Sequence, residues 1–107
     1  MAKLESSYKV GLKRRIRQRF PGCVLMKPDE QYMQGVPDIL VLFKNTWAML
    51  EVKISSSANK QPNQEHWIKT FGKMSFASFI HPGNEAEVLD AMESAFGLAR
   101  EACLSKS

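Results

Sequence analysis

The sequence predicts an α/β fold in which three helices and four strands follow the order αβββαβα. A four-residue apolar period at the start indicates a helix, and two adjoining apolar runs joined by two polar residues indicate a strand hairpin. A second helix, a further strand and a last helix follow. With 107 residues the chain is long enough for one hydrophobic core, so we interpret residues 1–107 as a single domain.

The first predicted helix extends from about Leu4 to Phe20. Its apolar residues recur every four positions and form one stripe: Leu4, Tyr8, Leu12, Ile16 and Phe20. Ser6 and Ser7 are candidate caps, which would start the regular helix one turn later. Pro21-Gly22 is expected to end it.

The other faces of this helix are strongly basic. They carry six cations with no acid between them: Lys9, Lys13, Arg14, Arg15, Arg17 and Arg19. Each one alone is most simply a solvated residue, but together they would attract phosphate groups with a strong dependence on salt. The net charge of +4 also favours an anionic partner, nucleic acid first.

A short strand is predicted at Cys23–Lys27, and Lys27-Pro28-Asp29-Glu30 ends it. The stretch from there to Gly35 reads as a loop that leads into the hairpin. Lys27 would lie at a strand end near the expected cleft, which makes it a candidate phosphate contact.

The central hairpin consists of an apolar run that opens at Asp38 and a second run, Thr46–Lys53, with Lys44-Asn45 as the turn. Side chains alternate across a strand, so Glu51 and Lys53 point to the same face. Antiparallel pairing then brings Asp38 close to both of them.

Burial of a carboxylate on an apolar sheet is energetically unfavourable, so a buried carboxylate is normally paired with a cation or bound to a metal. Two carboxylate ligands suit Mg²⁺. One interpretation of Asp38, Glu51 and Lys53 is therefore a metal-dependent phosphodiester hydrolase. The alternative is a simple ion pair of Lys53 with Asp38 or Glu51 at the sheet end.

The second half of the chain begins with a polar loop, Ile54–Lys60, followed by a helix that opens at Gln61-Pro62 and ends at Gly72. The inward face of this helix is predicted to carry Gln64, Trp67, Ile68 and Phe71. A strand at Ser75–Ile80 and a helix at about Glu85–Cys103, capped by Asn84, complete the chain.

Pro37-Asp38 followed by Glu51-Val52-Lys53 resembles the pattern of the PD-(D/E)XK nuclease superfamily. With Gly35-Val36 before it and Gln64 after it, the pattern is similar to the virus-type replication-repair nuclease (VRR-NUC) group and, in outline, to Holliday-junction resolvases. The resemblance covers about Glu5 to Pro82. It implies a restriction-endonuclease-like αβββαβ core with a mixed central sheet flanked by helices, plus a C-terminal helix.

The resemblance also implies a metal site. Asp38 and Glu51 would bind Mg²⁺, for which Mn²⁺ could substitute, with the backbone carbonyl of Val52 as a further ligand. In the resembled enzymes an acid on the first helix reaches this cluster, and Glu5 is the matching position. From its position alone, Glu5 could equally be an acid that stabilises the helix N-terminus.

The implied catalytic residues are Asp38, Glu51, Lys53 and Gln64. Lys53 would orient or deprotonate the attacking water, or offset negative charge at the phosphate. Gln64 would contact the catalytic lysine or the substrate phosphate. The predicted DNA contacts are Lys9, Lys13, Arg14, Arg17, Lys27 and Lys60.

The function implied is that of a structure-specific DNA endonuclease that acts as a homodimer on branched DNA such as four-way (Holliday) junctions, in the cytoplasm of a bacterial or phage-infected cell. Three alternatives stay open. The first is a nuclease of the same fold that cleaves flaps, nicked DNA or linear DNA. The second is an inactive DNA-binding module, and the third is a small interaction protein that binds no nucleic acid. No apolar run has the length of a membrane span, and the first residues contain no signal-peptide core.

Overall fold

The structure, a computed structural model, describes residues 2–105, and the side chains of residues 4–98. Its elements are α1 (Ala2–Arg19), β1 (Val24–Met26), β2 (Ile39–Phe43), β3 (Thr46–Val52), α2 (Pro62–Met74), β4 (Phe76–Ile80) and α3 (Glu85–Ser105). The predicted α/β class and the order of the elements are confirmed. Within the described residues no helix is long and apolar enough to cross a bilayer.

The four strands form one mixed sheet in the order β1-β2-β3-β4. The first three strands pair antiparallel, and β4 lies parallel to β3. A two-residue turn joins β2 to β3, with Lys44 in the left-handed region at φ 56° and Thr46 Oγ1 donating to Phe43 O at 2.6 Å. This turn sets Ile39 opposite Leu50, so the residue before β2 lies beside Glu51.

Alternation along the strands divides the sheet into two faces. One face, which includes Leu50 and Val52, is buried against α1 and α3. The helices contribute Leu12, Ile16 and Phe20 from α1, and Val88, Leu89, Met92 and Phe96 from α3. On the opposite face Trp47 packs edge-on against Phe71 of α2 at 6.1 Å between ring centroids. Glu51 points to this second face, under the N-terminal end of α2.

Some predicted helix limits are wrong. Ser6 and Ser7 lie inside α1, which already begins at Ala2, so they cap nothing. Leu4 is 59% exposed, Tyr8 is partly buried, and the apolar stripe is fully buried only from Leu12 onward. Gly72 does not end α2, because the helical bonding continues to Ser75, whose N–H donates to Phe71 O.

Candidate active site

Asp38 and Glu51 meet at the open end of the hairpin. Asp38 immediately precedes β2, and its Oδ2 accepts the N–H of Val52 at 2.9 Å, which continues the ladder past the end of β2. Glu51 is the penultimate residue of β3 and only 4% exposed. The structure therefore brings the two predicted carboxyl groups together because the hairpin turn sets their register.

Burial first, and then the charge of Asp38 and a hydrogen bond to it, raise the pKa of Glu51 to about 8. The Lys53 charge opposes the rise, and the charge of Glu5 on α1 reinforces it. Glu51 therefore keeps its proton at neutral pH when no cation is bound. Glu5 lies within electrostatic reach of Glu51, and its role as a metal ligand stays a prediction.

Gln64 lies between Lys53 and Glu51. Lys53 Nζ donates to Gln64 Oε1 at 2.7 Å, and Gln64 Nε2 donates to Glu51 Oε2 at 3.2 Å. None of the ion pairs among the described residues joins Lys53 to either carboxylate, so the predicted sheet-end ion pair is wrong. The physical reason is that one amide acts as acceptor and donor at once and lies between the Lys53 ammonium and the Glu51 carboxyl group.

Two contacts hold the N-terminal end of α2 against the loop before β2. Trp67 Nε1 donates to the carbonyl of Gln34 at 3.0 Å. Gly35 has φ +82°, and a Cβ there would lie 2.5 Å from the Cβ of Asn63. A glycine is required at this approach, since it tolerates the left-handed backbone and leaves room for α2. The position of Gln64 therefore depends on this loop.

Lys9 is also part of the site, although the sequence placed it on a DNA-binding face. Its Nζ lies 3.4 Å from Asp38 Oδ1, with the Lys9 side chain 25% and the Asp38 side chain 12% exposed. Sequence reasoning missed this contact. The available signal was its spacing, because Lys9 follows Glu5 by four residues and so lies one turn further along the same helix face.

Two of the six cations on α1, neither of them a predicted DNA contact, pair with acids of α3. Arg15 Nε donates to Glu85 at 2.6 Å, and this hydrogen bond lowers the pKa of Glu85. Arg19 pairs with Asp90 and Glu93. These arginines are neutralised because α3 packs beside α1 and presents its acids to them.

The remaining cations of α1 take part in none of the ion pairs among the described residues, apart from Lys9 with Asp38. Lys9, Lys13 and Arg17 are spaced by four residues and form one row along the helix, with steps of about 6 Å. We call these three residues the α1 row. Its first member, Lys9, contacts Asp38, and Lys13 and Arg17 follow along the helix, away from the carboxyl pair. Arg14 lies exposed beside the row.

The two other predicted DNA contacts belong to other segments of the chain. Lys27 is exposed in a groove that Asp29 and Glu30 also line. Lys60 is exposed, with its Nζ 4.8 Å from the centre of the Phe79 ring. No hydrogen bond or ion pair between described residues connects either lysine to the carboxyl pair.

A cleft of about 500 Å³ opens beside Gln64. Its walls are Glu30, Gln34, Gly35, Gln61, Pro62, Asn63 and Gln64. Side-chain amides dominate this lining, and it contains no cation. This set of lining residues was not predicted, because the walls come from two segments that only the packing of α2 brings together.

The carboxyl pair fits Mg²⁺ or Mn²⁺ better than it fits Zn²⁺. The described residues contain no group of three or more His, Cys, Asp and Glu side chains that could hold a metal. Structural and catalytic Zn²⁺ sites require such a group. Mg²⁺ keeps several waters and takes one or two carboxylates plus a substrate phosphate, which is what Asp38 and Glu51 could supply.

The predicted Val52 ligand is compatible with this arrangement. The N–H of Val52 points towards Asp38. In an extended strand the N–H and C=O of one residue point to the same side. The carbonyl of Val52 therefore points, like its N–H, towards Asp38 at the start of β2.

Fold and site define an α/β protein with a four-stranded mixed sheet and a carboxylate, amide and lysine cluster at the open end of its hairpin. Comparisons with protein-family models, with curated proteins and with solved structures give no match to this chain. The function is accordingly argued from the site itself.

Proposed function

We propose that this chain is a Mg²⁺-dependent, structure-specific DNA endonuclease of the PD-(D/E)XK type, similar to the VRR-NUC group, that hydrolyses phosphodiester bonds in branched DNA such as four-way junctions. The observation that supports it most is one hydrogen-bonded group at the end of the hairpin. In that group Asp38 is held beside Glu51, and Gln64 joins Glu51 to Lys53. These are the four residues that the sequence pattern implied.

A bound Mg²⁺ would lower the pKa of an attacking water and offset negative charge at the scissile phosphate. Asp38 and Glu51 would hold the cation, with Glu51 giving up the proton that its burial retains. The Lys53 ammonium is fixed by a neutral amide rather than by a carboxylate. Its positive charge therefore stays available to stabilise negative charge that develops on the phosphate.

DNA recognition would use the backbone. The α1 row and Arg14 offer cations to successive phosphates along one helix, and such contacts position DNA without reading its sequence. Recognition by shape then favours branched DNA. A homodimer would place two such sites on one junction and produce paired nicks.

The experiment that tests this function incubates the protein with end-labelled four-way junction, flap, single-stranded and linear duplex DNA. Each substrate is tested in Mg²⁺, Mn²⁺ and EDTA with wild type, Lys53→Ala and Lys69→Ala. Lys69 is an exposed lysine of α2 and serves as the matched control. We expect metal-dependent nicking that prefers the junction, that is lost in Lys53→Ala and that Lys69→Ala retains.

The alternatives predict different products. Cleavage of flaps or linear duplex alone would keep the nuclease and remove the junction preference. Junction binding without a cut in either metal would make the carboxyl cluster structural and favour an inactive DNA-binding module. DNA binding that is absent, or indifferent to salt, would favour an interaction protein.

A further inference from the structure

The pairing of Lys9 with Asp38 is not explained by a role in DNA binding alone. Asp38 uses one oxygen to accept the Val52 N–H, and its other oxygen faces the Lys9 ammonium at 3.4 Å. Lys9 is the one cation that forms an ion pair with Asp38 among the described residues. The ammonium thus occupies the free side of a predicted metal ligand.

The ion pair of Lys9 with Asp38 compensates the negative charge of a carboxylate that is largely shielded from solvent. The Asp38 side chain is only 12% exposed, and Lys53 is bound to an amide rather than to a carboxylate. A partly buried carboxylate without a counter-charge is strongly unfavourable. Lys9 supplies that counter-charge while the cluster holds no divalent cation.

A divalent cation and an ammonium cannot share one carboxylate oxygen without mutual repulsion. The Lys9 side chain is a flexible stem of four carbons, so it is able to leave Asp38 without movement of α1. Its next neighbours along the α1 row are Lys13 and Arg17. A released ammonium would therefore stand at the end of the row that lies nearest the scissile phosphate.

We propose that Lys9 is an exchangeable cation of the active site: it pairs with Asp38 when no metal is bound, and moves to a DNA phosphate when a divalent cation takes its place. This role rests on the proposed nuclease function, because it assumes that Asp38 binds a metal. Cation binding would then prepare the protein for DNA before any strand is cut.

The test is Mn²⁺ binding without DNA, measured by isothermal titration of wild type, Lys9→Gln and Lys13→Gln. The two substitutions remove the same charge from the same helix, one turn apart, and only Lys9 touches Asp38. Removal of a competing ion pair should make Lys9→Gln bind Mn²⁺ about three- to tenfold more tightly. Lys13→Gln should stay within about twofold of wild type. Lys9→Met, which keeps the apolar stem, should repeat the result of Lys9→Gln.

Thermal unfolding of the same variants separates exchange from a merely structural role. Without metal, Lys9→Gln should lower the Tm, because Asp38 loses its counter-charge. Saturating Mn²⁺ should abolish this difference, since the Lys9–Asp38 ion pair is then absent from wild type as well as from the variant. Lys9→Arg, which keeps the charge, should restore both the Tm and the Mn²⁺ affinity of wild type.

The outcomes distinguish two failures. In the first failure, wild type binds Mn²⁺, but Lys9→Gln binds Mn²⁺ more weakly than wild type or with the same affinity as Lys13→Gln. This result overturns the exchange of Lys9 and leaves the nuclease proposal standing. A Tm deficit that persists in saturating Mn²⁺ also overturns the exchange. If neither wild type nor Lys9→Gln binds Mn²⁺ at millimolar concentration, the metal site is overturned, and both proposals fail.

Discussion

Gln64 donates a hydrogen bond from its amide nitrogen to Glu51 Oε2 over 3.2 Å, which ties the first turn of α2 to the buried end of β3. Its amide oxygen accepts from the Lys53 ammonium at 2.7 Å. An amide in this place holds the Lys53 ammonium and the Glu51 carboxyl group close together without a direct ion pair between them. The arrangement suits a site that must attract both a metal cation and a phosphate.

Gln64→Ala should reduce DNA cleavage by about 10- to 100-fold, the usual cost of losing a group that orients metal ligands and their neighbours. The fold should survive, because Gln64 is only partly buried and the apolar contacts of α2 are unchanged. Single-turnover cleavage and the Tm would be measured beside Gln18→Ala, an exposed glutamine of α1. Equal cleavage by both variants would remove Gln64 from the catalytic set.

Gly35→Ala should lower both stability and cleavage. The added Cβ would meet Asn63 at 2.5 Å and would force the N-terminal end of α2, with Gln64, away from the site. Gly22→Ala is the matched control, since Gly22 has φ +88° but open space around its Cβ position. Each alanine should cost about 1–2 kcal/mol for its left-handed backbone, measured by urea unfolding.

Only Gly35→Ala should also lose activity under conditions in which the protein stays folded. If both variants cleave DNA as wild type does, the position of α2 does not depend on this approach. If both lose activity equally, the loss follows from reduced stability rather than from displacement of Gln64.

Glu51→Gln should stabilise the metal-free protein at alkaline pH. The pKa of Glu51 rises from 4.5 to about 8 on folding, mainly through burial. The folded state therefore holds this proton more tightly than the unfolded chain, so the free energy of unfolding falls as pH increases from about 4.5 to about 8. Glutamine cannot ionise and should avoid this loss, with a gain of about 1–3 kcal/mol near pH 9 and almost none near pH 4.

The measurement is urea unfolding in EDTA across this pH range, beside Glu87→Gln at an exposed site of α3. Glu87→Gln should follow wild type at every pH. A Glu51→Gln curve parallel to wild type would mean that Glu51 is ionised at neutral pH in the folded protein.

Arg17→Gln and Arg15→Gln should separate DNA binding from stability. Arg17 is exposed in the α1 row, whereas Arg15 is held by Glu85. Loss of Arg17 should lower the slope of log binding constant against log salt concentration by about 0.9, the contribution of one phosphate contact. Loss of Arg15 should leave this slope unchanged and reduce stability by about 1 kcal/mol or less.

Fluorescence anisotropy with labelled duplex in EDTA at several salt concentrations would give the slopes, and urea unfolding the stabilities. An equal fall in slope for both variants would mean that the pair of Arg15 with Glu85 opens to bind DNA. No fall in either would exclude Arg17 and Arg15 as phosphate contacts.

Local backbone geometry made much of the fold predictable. The two-residue turn at Lys44-Asn45 and the alternation along β3 depend on neighbours in the chain, so they could be read from the sequence. They also bring Asp38 and Glu51 together, because the hairpin register pairs Ile39 with Leu50 and so places the preceding residue beside Glu51. The αβββαβα order followed in the same way from apolar periods of four and two residues.

The sequence by itself therefore determined the α/β class, the hairpin and the convergence of the two carboxyl groups. Only the tertiary structure decided that Lys9 pairs with Asp38, that Arg15 is neutralised by Glu85, and that Gln64 rather than an ion pair separates Lys53 from Glu51. The physical reason is that an apolar period shows which side of a helix is buried, but not which charged groups its polar sides will meet. Those partners depend on how α1, α2 and α3 pack on the two faces of the sheet, and this packing is set by contacts far apart in the chain.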